Sequence, residues 1–416
     1  MTALLLLVYF GQSCSVNAAQ DLDHGACGEV QTITLPPASV NQKYSADLNF
    51  FADKGASKYV SLINDFPKGL SFNAKKGIIR GVPTMEGNYL ICLKASNNNE
   101  DESRAILVKL VVGSGNDGNC SNTSTGLKPL SELGTALYLG KQGGYYPDGS
   151  NVRPEEHTRA GLEKVKLIQP LDSEGNPDEK GAVVFLSIGM SNAAYEFNVF
   201  QKKLYQLDEL NPSLVSVNGA AAGQTANLIA KPESHYWARV IKQLNKKGVT
   251  NNQVQIVWLK EANPRPKKSF IEYAEGLSQD LESIFHILKI QMPNLKIVYV
   301  SNRSYGGYAT RSLNPEPFAY QTGFSVKWLI ERYIRKNLSS ESAADDMPWL
   351  DWGPDLWADG LVARSSDGLT WECQDFMKDG LHPSLTGREK VANILLEFLK
   401  RDPVSRRWLL KNERGH

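Results

Sequence analysis

The sequence predicts two folded units in series, a small all-β sandwich followed by a larger α/β domain built on a parallel sheet. Three features carry that prediction. Between residues 29 and 112, short β-branched and aromatic runs are separated by turn formers, with no helical periodicity. Beyond residue 131, continuous apolar runs alternate with stretches of helical spacing, the pattern of parallel strands joined by helices. Between the two, residues 113–124 are rich in Gly, Asn and Ser and read as a linker.

The bulk numbers agree with this organisation. With 416 residues the chain can build two or three domains, and its 41% hydrophobic content is ordinary for a globular protein. Its 46 basic and 45 acidic residues leave a net charge of +1, which excludes a broad basic surface for nucleic acid or anionic lipid. At the N-terminus an apolar run from Ala3 to Phe10 precedes small residues, and Val16-Asn17-Ala18 fits a cleavage site. Residues 1–18 are therefore expected to be a signal peptide that sends the protein to the periplasm, the cell surface or the medium. That run is shorter than the roughly 20 apolar residues a membrane span needs. No later segment resembles a span, so no integral membrane segment is expected after cleavage. Cys14 would leave with the signal. Cys27, Cys92, Cys120 and Cys373 would remain, with three full pairings open and no zinc-like spacing. A clasp between Cys27 and Cys120, which flank the first unit, suits an oxidising compartment.

Strands are expected at residues 31–35, 44–48, 87–95 and 105–112. In the third, Tyr89, Ile91, Leu93 and Ala95 share one face at period two, as a half-buried strand requires. Regular turn spacing argues for a sandwich. Pro67-x-Gly69-Leu70, Asn73 to Gly77, Gly81-x-Pro83-Thr84 and Gly87-x-Tyr89 then make this segment resemble the Ig-like, or cadherin-like, repeat found beside bacterial enzymes. The resemblance implies an Ig-like domain over residues 28–112 with a spacer or adhesion role, a candidate for contact with a cell surface or polysaccharide.

A linker over residues 113–130 is expected to lead into the α/β domain, residues 131–403. Apolar strands are predicted at 183–188, 214–217, 254–259 and 295–300. Between them, Ile271, Ala274, Leu277, Leu281, Ile284, Phe285 and Leu288 follow one helix face. Near the end, Thr386-x-x-Glu389 reads as a capping box opening a helix with Val391, Ile394, Leu395 and Phe398 inward.

In such a sheet, ligands bind beyond the carboxyl ends of the strands. The first of these strands ends in Gly189-Met190-Ser191-Asn192, with a helix expected next. A serine at that corner sits where helix N–H groups can stabilise an oxyanion. Just before the last helix stands Asp379-Gly380-Leu381-His382-Pro383. A serine hydroxyl needs an imidazole to take its proton, and a carboxylate to fix that imidazole's tautomer. The second strand is followed by Asn218 to Gly223-x-Thr225, where a glycine can offer its N–H to an oxyanion. His157 and His235 are expected to be structural. Trp349, Trp352, Trp357 and Trp371 are expected mostly in the core, although a loop of aromatics beside the base could also wall a sugar site.

These motifs, in this order, resemble the SGNH (GDSL-type) hydrolase superfamily over about residues 135–400. The resemblance implies a three-layer α/β sandwich of flavodoxin-like kind, with Ser191 as nucleophile, His382 as base and Asp379 as its orienting acid. It implies an oxyanion hole at Gly223 and, after the third strand, an asparagine, for which Asn263 stands in. Two departures are present. Met190 replaces the usual aspartate before the serine, and Trp258-Leu-Lys-Glu-Ala-Asn263 replaces Gly-x-Asn-Asp, leaving Lys260 or Glu261 as other groups that could line the site. The expected activity is hydrolysis of an acyl ester, acetyl by preference, on a small molecule or polysaccharide, with no metal or organic cofactor. The altered third motif leaves a second reading, a non-catalytic carbohydrate-binding or adhesion protein.

Overall fold

A computed structural model describes residues 31–36, 38–48, 58–61, 66–96, 103–113, 119–264, 268–339 and 347–411. Residues 1–18, expected to be a signal peptide, and Cys27 lie outside the described residues.

The N-terminal unit packs two sheets. One holds β1 (Gln31–Thr34), β8 (Ser103–Gly113), β7 (Gly87–Ser96) and β4 (Lys58–Ser61), with β2 (Ala38–Ser39) also paired to β8. The other holds β3 (Tyr44–Asp47), β6 (Ile78–Gly81) and β5 (Leu70–Asn73). Alternation along the strands sends Ile33, Ala46, Ile79, Ile91, Leu93, Val108 and Leu110 into one apolar core between the sheets. β7 and β8 are antiparallel, while β1 joins β8 in parallel register, Gln31 opposite Ile106.

After a small hairpin of β9 (Leu137–Tyr138) and β10 (Lys141–Gln142), the chain builds a five-stranded sheet in the order β12 (Leu214–Asn218), β11 (Val183–Gly189), β13 (Val254–Lys260), β14 (Ile297–Val300), β15 (Trp349–Trp352). Every pairing in it is parallel. β11, β13 and β14 are buried at every residue, which is why they read as unbroken apolar runs rather than alternating ones. The chain order 2-1-3-4-5 reverses direction between β11 and β13, and the crevice opens at such a switch point.

Six longer helices accompany the sheet: α1 (Glu155–Val165), α2 (Ser191–Leu204), α3 (His235–Lys246), α4 (Phe270–Gln291), α5 (Phe318–Ser339) and α6 (Leu385–Arg401). α2 packs on α6 and against β11 and β12, and α4 packs on α5. None of the described helices is long and apolar enough to cross a membrane.

Four expectations need correction. The helix face predicted in α4 is buried except at Ile271, which is 41% exposed in the first turn. The cap of α6 is Ser384, whose hydroxyl accepts the Gly387 N–H, while Thr386 donates to Gln374 O instead of opening a capping box. Cys120 is bonded to Cys373, not to Cys27. Finally, the far end of the linker is pinned. Asn119 N–H donates to Tyr308 O, the Asn122 amide to Gly307 O, and Asp359 accepts from Ser124, Thr125 and Gly126. Asn119, Asn122 and Ser124, polar residues that suggested a tether, are used as hydrogen-bonding groups against the α/β domain.

Candidate active site

The strand-to-helix corner after β11 is made possible by Gly189. A Cβ there would lie 2.5 Å from both the Lys260 carbonyl oxygen and the Ala193 side chain, so close backbone approach, not a left-handed turn, demands the glycine. Met190 precedes the helix in extended conformation and Ser191 begins it. Asn192 is buried and donates from Nδ2 to Leu381 O at 2.9 Å, tying the start of α2 to the loop that carries His382.

That tie brings together residues 191 positions apart in sequence. Ser191 Oγ lies 2.8 Å from His382 Nε2, and His382 Nδ1 lies 2.5 Å from Asp379 Oδ2. An ionised carboxylate can only accept, so Nδ1 carries the proton and Nε2 is left to accept from the serine hydroxyl. The other Asp379 oxygen accepts the N–H groups of His382 at 3.0 Å and Leu381 at 3.1 Å. Burial works against the Asp379 charge, but the hydrogen bonds from the His382 ring and the two backbone amides outweigh it and hold the carboxyl down at about 2.

A cavity of about 600 Å³ opens over this relay, with Ser191, His382, Gly223 and Asn263 all on its wall. Gly223 has φ +74°, and a side chain there would meet nothing within 4 Å, so glycine is needed for the backbone conformation alone. Asn263 is held at both ends of its amide. Its Oδ1 accepts the Asn227 N–H at 2.9 Å, and its Nδ2 donates to Asp280 at 2.6 Å. Burial raises the Asp280 carboxyl, and the bond from Asn263 opposes that rise.

Met190 and Thr225 also line this cavity, whereas the other charged residues, histidines and tryptophans singled out by sequence lie off its wall. Lys260 is consumed in a buried ion pair with Glu196 at 2.6 Å, both side chains 1% exposed. Glu261 is buried too, and burial pushes its carboxyl well up. His157 stacks on Trp349 and faces Asp351, and His235 starts α3. Trp349, Trp352, Trp357 and Trp371 are all buried in the core. A larger cavity of about 850 Å³ lies elsewhere, and its charges are paired: Arg153 with Asp351 and Asp402, Arg364 with Asp355 and Asp367.

Sequence reasoning gave no role to Asn192, Asp280, Arg303 and Asn314, of which Asn192, Arg303 and Asn314 line this cavity. Arg303 was findable, because it follows the end of β14, where ligands of parallel sheets bind.

Residues 29–113 match the family described as "Putative Ig domain". This N-terminal unit is an Ig-like domain. No curated protein matches the chain. Among solved structures, a Bacillus subtilis protein is similar at 14% identity and a TM-score of 0.32, over 54% of this chain and 58% of that one. A Bacteroides fragilis protein described as a putative acylhydrolase is similar at 12% identity and 0.30, over 59% and 97%. The periplasmic domain of a Salmonella lipopolysaccharide acetyltransferase is similar at 13% and 0.30, over 58% and 95%. These are distant likenesses, and the functional reading rests on the geometry of the site instead.

Proposed function

We propose that this chain is an exported serine esterase of the SGNH type, with helices on both faces of its sheet and an acyl-serine intermediate. The observation that carries the reading is the unbroken relay Ser191–His382–Asp379 at the wall of a cavity over the switch point. His382 Nε2 takes the Ser191 proton as Oγ attacks the ester carbonyl. Asp379 keeps the ring in the required tautomer and balances the imidazolium. The tetrahedral intermediate collapses as His382 protonates the leaving alcohol. Water, deprotonated by the same nitrogen, then releases the acid from the serine.

Charge on the carbonyl oxygen would be met by the N–H of Ser191, at a helix start where amides lack intrahelical acceptors. The Gly223 N–H and the second Nδ2 proton of Asn263 would complete the hole, the first proton being committed to Asp280. The cavity holds a sugar-sized group, and near-neutral charge, export and an Ig-like appendage favour acetyl esters on carbohydrate over lipid. The test is labelling with a fluorophosphonate together with an esterase screen that includes acetylated saccharides. Labelling at Ser191, and its loss in Ser191→Ala along with ester turnover, is expected. Unlabelled protein with no ester turnover points to the non-catalytic scaffold.

A further inference from the structure

Two buried polar groups on the wall of the catalytic cavity have work that no protein partner supplies. Arg303, 5% exposed, stands just past the carboxyl end of β14, and its Nε has no hydrogen-bond acceptor. None of the described carboxylates comes within 4.0 Å of its guanidinium. Glu196 holds Lys260 and Asp379 holds His382, while Glu196, Glu261 and Asp379 act on Arg303 only as longer-range charges. Arginine stays protonated in proteins, so the cavity wall carries a cation with no ion-pair contact among the described residues. An isolated buried charge is expensive to maintain, and one of its uses is a ligand of opposite sign.

Asn314, 4% exposed, complements it. Its Nδ2 donates to Tyr273 Oη at 2.8 Å and to Asn263 O at 3.3 Å. Those two contacts fix the amide's orientation and leave Oδ1 buried with no donor. One wall of the cavity is therefore built from a guanidinium and an amide whose oxygen lacks a donor. A carboxylate and a hydroxyl on the same small molecule satisfy both.

We propose that the alcohol portion of the ester substrate is an acidic sugar, whose carboxylate is bound by Arg303 and one of whose hydroxyls donates to Asn314. The inference rests on the esterase reading above and narrows its substrate class. Arg303 is suited to the task because its fork can meet both carboxylate oxygens, which a lysine cannot do.

The test compares two substrates that differ only in charge, mono-O-acetyl galacturonic acid and the equally acetylated galacturonamide. Wild type is expected to prefer the acid in kcat/KM by at least about tenfold, the size of a hydrogen bond to a charged group. Arg303→Gln is expected to collapse that ratio toward one, and Arg303→Lys to restore part of it. A wild-type ratio near one overturns the inference, and that measurement does not depend on any variant folding. So does an Arg303→Gln enzyme that keeps the preference. If neither sugar ester is turned over while p-nitrophenyl acetate is hydrolysed and Ser191 is labelled, the acidic-sugar inference alone fails. Absence of labelling and of all ester turnover removes the esterase reading as well.

Discussion

Ser191, His382 and Asp379 form one relay because each hydrogen bond sets what the next group can donate or accept. Ser191→Ala and His382→Ala should each lower ester hydrolysis by several orders of magnitude, and the double variant should be little worse than either, as steady-state kinetics would reveal. Asp379 adds a pH signature. Its carboxyl is held at about 2 in the folded protein, below its unfolded value near about 3.9. A depressed acid stabilises the fold above its unfolded pKa and loses that contribution as pH falls through the folded one. The stability difference between wild type and Asp379→Asn, from denaturant unfolding, should therefore be flat above about pH 5. It should shrink as pH falls from about 4 to about 2. Asn263 carries a sharper test. If its free amide proton meets the oxyanion, Asn263→Ala should lower kcat by about 10²–10³ with little change in KM. Asp280→Ala should lower kcat less while leaving KM alone, since it only holds the amide that Asn263 presents. An effect confined to KM would remove Asn263 from the oxyanion hole.

At the level of elements, the site depends on how β11 hands over to α2. Gly189→Ala would press a methyl against the Lys260 carbonyl and Ala193, and neither the strand pairing of β11 with β13 nor the first turn of α2 has room to yield. The expected result is lower thermal stability together with loss of turnover, because Ser191 moves with the helix start. A stable, fully active Gly189→Ala protein would show that the corner is looser than its contacts indicate. At the other end, Ser384 caps α6 and also donates to Gln374 O, so the loop of His382 is anchored on both sides. Ser384→Ala should cost about 1 kcal/mol, measured by denaturant unfolding.

The whole molecule is stitched more tightly than two beads on a string. The Cys120–Cys373 bond closes a span of 253 residues and fixes the entry to the α/β domain beside the segment leading to Asp379. The end of β8 also lies against α6. Cys120→Ser with Cys373→Ser should therefore destabilise the α/β domain by about 2–4 kcal/mol and lower its Tm. Deleting the Ig-like domain up to residue 118, with Cys120 kept, should preserve turnover of a small soluble ester better than deletion through residue 120. Equal activity of the two truncations would show that the bond does not support the site.

Much of this was legible in the residues themselves, and for a physical reason. Parallel strands buried on both faces must be apolar throughout, so β11, β13 and β14 were legible as runs, and the motifs after β11 and β12 and before the last long helix put Ser191, Gly223, Asp379 and His382 forward as candidates. Local chemistry could not reach further. β15 carries Asp351, which is spent on Arg153, so the strand lacked the apolar run that marked the others. Disulfide partners and side-chain pairings depend on which loops meet in space, which is why Cys120 found Cys373 and the linker found Asp359. Whether Lys260 faced the cavity, and whether Arg303 found a carboxylate, were likewise decided by packing. Both are buried cations at or just past strand ends, but one pairs with Glu196 and the other has no carboxylate in ion-pair contact among the described residues.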